Sequence, residues 1–180
     1  MLSKSMRLRP LLTGGDRRSI ARAPRALAIV RADPSRVTEL AALTRDADPL
    51  VVQRALDLLE KLAQEHPDWI RPHKRVFIGP LARDERWEVR LQVMRALPLF
   101  SWTRAERRRV LAILLENASY PQTFVRAWAL DSLSMFAVDD PSLRPDVRRH
   151  LRAFDASGSR ALAARARHIR ARLGMTCRSR

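Results

Sequence analysis

Three stretches of this 180-residue chain share one apolar spacing, and that repetition limits the possible fold more than any other feature. The stretches begin at Asp48 (DPLVVQRALDLLEKLA), Asp84 (DERWEVRLQVMRALPLF) and Ser119 (SYPQTFVRAWALDSLSMFA). Their apolar positions are Val51, Ala55, Leu59 and Leu62, then Val89, Val93, Leu97 and Phe100, then Val125, Ala129, Leu133 and Phe136. Steps of four, four and three residues trace one face of an α-helix. The sets recur after 38 and then 36 residues, and a weaker copy (Leu162, Ala166, Ile169, Leu173) starts 37 residues further on. A fixed period of this size marks a repeat array.

Each of these helices has an apolar-patterned partner before it. The partners run from Ser35 to Arg45, Pro72 to Ala82, Thr103 to Asn117 and Pro141 to Phe154. The repeating unit is therefore two helices. Punctuation agrees with this reading. Asp33-Pro34, Asp48-Pro49 and Asp140-Pro141 each read as an N-cap followed by a proline in the first turn, where its missing N–H costs nothing. Thr103 and Glu106 have the spacing of a capping box. Pro80 falls inside a predicted helix, so a break is expected near Gly79-Pro80, and Pro98 is expected to end its helix a turn early. Only 5 glycines and a single tyrosine occur, which disfavours a hairpin-rich β fold.

One helix pair of this size cannot bury its apolar stripe alone, so copies must stack. The fold class that follows is all-α, an α-solenoid of three to four helical hairpins over residues 33–173. Residues 1–15 read as a flexible basic leader, with Gly14-Gly15 as a boundary, and residues 16–32 as a capping helix interrupted by Pro24. Residues 174–180 read as a flexible basic tail that includes the lone Cys177. One cysteine cannot form an internal disulfide, which fits a reducing, cytoplasmic setting. No apolar run approaches the roughly 18–20 residues that span a bilayer.

The second helices resemble the HEAT repeat family. That family places an aspartate in the turn before its second helix, then valine and arginine five and six residues on; Asp84, Val89 and Arg90 match in full. Asp48 and Arg54 keep the spacing around Gln53, and Val125 with Arg126 match the latter half after Tyr120. HPDWIRPHKR followed by EVRLQVMRALPLF is also similar to small bacterial HEAT repeat proteins. The resemblance implies a scaffold that binds a protein partner. It also implies a ladder in which carboxylates and guanidiniums of stacked repeats pair, drawing on Asp48, Arg54, Asp84, Arg90 and Arg126.

Charge is unevenly placed. The chain carries 35 Lys/Arg against 19 Asp/Glu, and the excess of +16 lies at the two ends while residues 33–143 balance to zero. Arg148, Arg149 and Arg152 on one helix, and Arg160, Arg165, Arg167, Arg170 and Arg172 on the next, are candidate phosphate contacts. No base-reading motif accompanies them, so any nucleic-acid binding would be weak and non-specific. The plainer reading is a solvated capping helix that keeps the array soluble and monomeric.

Little in the sequence suggests catalysis. It has no phosphate-binding glycine loop, no H-E-x-x-H, no Cys/His cluster and no nucleophile elbow, so neither a cofactor nor a metal is expected. One enzymatic reading rests on Trp128 and Asp131, three residues apart, which could hold a cationic base as in HEAT-like alkylpurine DNA glycosylases. The plainer reading has Trp128 at the edge of the buried stripe and Asp131 paired with Arg126 or Arg95. For a binding protein, the working surface is expected on the concave face of the second helices, with Trp87, Arg95 and Trp128 touching the partner.

Overall fold

The computed structural model describes residues 7–16 and 19–175. Among these residues the regular structure is helical throughout, with ten α-helices and intervening 3-10 turns. The chain divides into two compact units, residues 1–81 and 82–180.

The first unit is built around α4 (Pro49–Glu65). Asp48 caps it by accepting from the Leu50 N–H at 2.9 Å, and Pro49 occupies the first turn, as the dipeptide predicts. Val51, Ala55, Leu59 and Leu62 are all fully buried. Against this helix pack α1 (Arg9–Leu12), α2 (Ala23–Ala32), α3 (Val37–Ala42, flanked by 3-10 turns) and α5 (Pro67–Ile70). The described part of the supposed leader is not loose: Arg9–Leu12 form α1, and Leu8, Leu11 and Leu12 are buried. Three leucines within five residues give the segment an apolar face with somewhere to go. The capping helix is shorter than expected, because Pro24 sits in its first turn and starts α2 instead of interrupting it.

The predicted helix from Pro72 to Ala82 is not α-helical. Arg71–Ile78 and Pro80–Arg83 are 3-10 segments, separated at Gly79. Pro72 and Pro80 each stand in the first turn of their segment, where the missing N–H has no partner to lose, so neither continues the helix before it.

The second unit is built around α8 (Thr123–Asp139), which packs against α6 (Trp87–Ala96), α7 (Arg104–Asn117), α9 (Arg144–Ala156) and α10 (Arg160–Leu173). The capping box on α7 forms in full, and α6 ends at Ala96, continuing as a 3-10 turn through Pro98. Gly174 closes α10 in the left-handed conformation (φ 60°), with the Met175 N–H reaching the Arg170 carbonyl. Val89, Val93, Leu97, Val125, Ala129, Leu133, Ala166 and Ile169 have no exposed surface. Phe136, at the end of the third set, is only half-buried and lines a cavity. The hairpin reading therefore holds: helix pairs recur along the chain, and each second helix carries the buried stripe.

Candidate functional site

α8 is enclosed by four helices, yet one edge of it stays open. Phe124, Met135 and Val138 are 52%, 41% and 48% exposed, and Trp128 between them is half-buried. At the α-helical repeat these four residues fall within about 80° of one another. The sequence puts apolar residues on both sides of this helix, and packing uses up only one of them. The other is a ridge.

The neighbouring helices dress this ridge. Trp87 of α6 stacks on Phe124 with ring centroids 6.1 Å apart. Arg95 of α6 lies 5.2 Å from the centre of the Trp128 ring, and Arg165 of α10 lies 4.2 Å from it. Each guanidinium so placed gains cation–π attraction to the indole face. Beneath them Asp131 is buried, its carboxylate 3.4 Å from Arg165 and 3.2 Å from Arg172. Arg172 also donates to the Ser134 hydroxyl at 2.6 Å and to the Asp131 carbonyl at 3.1 Å. The partners of Asp131 thus come from α10, not from Arg126 or Arg95. Arg126 faces the Phe154 ring instead, at 5.6 Å.

At its C-terminal end the ridge runs into a cavity of about 350 Å³. Phe100, Trp102, Met135 and Phe136 line it together with the polar Ser101, Arg107 and Asp139. Arg107 is held by Asp140 at 3.0 Å and lies 5.7 Å from the Phe136 ring. Two of its lining residues, Phe100 and Trp102, follow the 3-10 turn through Pro98 and meet edge to face. Reading the sequence did not single out this cavity or Met135 and Val138. The signal available was an α8 apolar pattern broader than one stripe.

Of the residues assigned to a ladder, Arg126 faces Phe154, and the other four find caps, carbonyls and side chains. Asp48 caps its own helix. Arg54 is buried and donates to the carbonyls of Leu12, Gly14, Asp16 and Ser19 at 2.6 to 3.1 Å. Asp84 accepts from Arg86 at 2.6 Å, and that hydrogen bond holds its carboxyl below the usual carboxylate range. Arg90 donates to the Asp84 and Arg83 carbonyls and to the buried Asn117 side chain, and covers the Tyr120 ring at 4.3 Å. Asn117, which accepts from Arg90 at 3.0 Å, and Ser132, which donates to the Met94 carbonyl at 2.7 Å, join helices without any sequence signal for the role.

The eight candidate phosphate contacts separate into two groups. Arg165 and Arg172 belong to the Trp128–Asp131 cluster, Arg149 pairs with Asp146 at 2.8 Å, and Arg170 pairs with Asp155 at 2.5 Å. Arg148, Arg152, Arg160 and Arg167 stand exposed on α9 and α10. No helix among the described residues is long and apolar enough to cross a membrane.

Stacked helix pairs built around a buried second helix define an armadillo/HEAT-like helical repeat. Solved structures with this architecture bear that out. The chain is similar to a designed armadillo repeat protein in complex with the peptide (KR)4, with a TM-score of 0.60 and 14% identity over 92% of this chain and 80% of that one. It is similar to a second designed armadillo repeat protein, with a TM-score of 0.57 and 16% identity over the same shares. No family model and no curated protein matches the sequence.

Proposed function

We propose that this chain is a non-enzymatic binding protein that holds a segment of a partner protein along the α8 ridge. The observation that carries this is the alignment of Phe124, Trp128, Met135 and Val138 on the open edge of an otherwise enclosed helix. Contiguous exposed apolar side chains rimmed by charge are costly in isolation and mark docking surfaces. One similar designed protein is described in complex with a peptide, which supports a peptide-holding role for this architecture. The base-excision reading finds less support, since Asp131 is covered by two guanidiniums and is 2% exposed.

Selecting random peptides on the full chain tests the proposal. Selected peptides should lose binding when Met135→Glu and Val138→Glu are introduced together, with helical content unchanged by circular dichroism. Selected peptides that ignore both substitutions would count against the ridge.

A second reading, non-specific nucleic-acid binding, is favoured by the exposed guanidiniums of Arg148, Arg152, Arg160 and Arg167. It predicts duplex binding that weakens steeply with salt. Changing these four residues to glutamine should abolish that binding and leave peptide binding intact.

A further inference from the structure

We infer that α9 carries an acid-sensitive latch: protonation of His150 loosens this helix from α8 ahead of the rest of the second unit. The latch makes the last helix pair responsive to pH, whatever the ridge holds.

The buried residues of α9 are Val147, His150, Leu151 and Phe154, and these hold it to the unit. Only one of them is polar. His150 is 8% exposed, and its Nε2 is buried without a hydrogen-bond partner. A neutral imidazole can leave that nitrogen as a bare lone pair. An imidazolium donates from both ring nitrogens, and here one donor would point into packed protein with no acceptor to meet it. Among the described residues no other helix of the second unit buries a histidine, and His168 of α10 is exposed. The cost of acid therefore falls on the α9 contact first.

The surrounding charges add to that cost. Arg126 of α8 lies 5.6 Å from the Phe154 ring, and Phe154 sits one helical turn beyond His150 on the same face of α9. The Arg126 Nε is also buried without a hydrogen-bond partner, so an imidazolium would meet a second cation short of an acceptor. The charged groups around this contact are Arg126 from α8, Arg144, Asp146, Arg149 and Asp155 from α9, and Arg170 from α10. Asp146 is engaged by Arg149 at 2.8 Å and Asp155 by Arg170 at 2.5 Å, so both carboxylates are already paired. Burial, then the Arg149 charge, hold the His150 pKa below its ordinary value; Asp146 pulls the other way and Arg126 adds to the depression. Docked α9 thus keeps the ring neutral, while opened α9 gives it back its ordinary proton affinity. Opening is favoured as pH falls below about 6.5.

The test is hydrogen exchange of the full chain without any partner, read as protection factors corrected for the intrinsic pH dependence of exchange. Between about pH 7.5 and about pH 5.5, protection over residues 147–154 should fall about five- to tenfold more than over residues 110–114 of α7, the range that one histidine regaining its ordinary pKa allows. In His150→Phe the two helices should change together. Arg126→Gln should shrink the acid effect on α9 and leave α7 as it was. An α9 that loses no more protection than α7, or loses as much in His150→Phe as in the native chain, would overturn the latch. Should His150→Phe fail to fold, Arg126→Gln decides the matter, and an undiminished acid effect on α9 in that variant would overturn it.

Discussion

Arg54 ties α4 to the segment before α2 through main-chain carbonyls alone, those of Leu12, Gly14, Asp16 and Ser19. Gly14 and Gly15 adopt positive φ, which lets the chain curl its carbonyls toward one guanidinium. Replacing Arg54 by methionine keeps the bulk and strands those carbonyls. Hydrogen bonds to charged groups are worth about 1.5–3 kcal/mol each, but carbonyls that regain water recover much of that, so a net loss of about 2–4 kcal/mol is expected in urea unfolding. His150 makes the second residue-scale prediction. It is 8% exposed, and burial, then the nearby Arg149 charge, push its pKa down despite Asp146 close by. The folded state therefore keeps it neutral while the unfolded chain takes up a proton near pH 6.5, so stability falls as pH drops below that value. Urea midpoints should decline between about pH 7.5 and about pH 5.5, and His150→Phe should flatten that decline. An unchanged slope in the variant would assign the effect elsewhere.

At the scale of the element, α7 and α8 carry the clearest expectations. Thr103 accepts from the Glu106 N–H at 3.3 Å while Glu106 reaches back to the Thr103 N–H at 3.2 Å. Thr103→Ala should cost about 1 kcal/mol in thermal or urea unfolding. Leu133, fully buried at the centre of α8, should cost about 2–5 kcal/mol on change to alanine, because the surrounding helices cannot close over the gap. Elements of this kind were legible in the sequence, since cap chemistry and a 3.6-residue period are local signals. The 3-10 stretch from Arg71 to Ile78 was not, because its apolar residues mimic a helical face and only the prolines spoke against one. The ridge was half legible. Trp87, Arg95 and Trp128 stand out in the sequence, and the structure sets Arg95 and Arg165 over Trp128 while Trp87 stacks on Phe124. Met135 and Val138 were missed, as an apolar residue in a helix reads as core until the neighbours on every side are known. Partners of Asp131 could not be read either, because Arg165 and Arg172 lie 34 and 41 residues away and neither spacing is a local one.

For the molecule as a whole, the sequence reading put the net charge at the two ends, whereas the structure sorts the C-terminal arginines by face. One set is absorbed into the Trp128–Asp131 cluster, and the other stands on the outer surfaces of α9 and α10. These two faces support the two binding proposals and can be told apart in one measurement. Hydrogen exchange of the full chain, with and without a peptide selected on it, reads them together. Protection confined to Phe124–Val138 and the facing turns of α6 and α10 is the result expected for a docking ridge. Protection over Arg148–Arg167, with the α8 edge exchanging as freely as before, would contradict it.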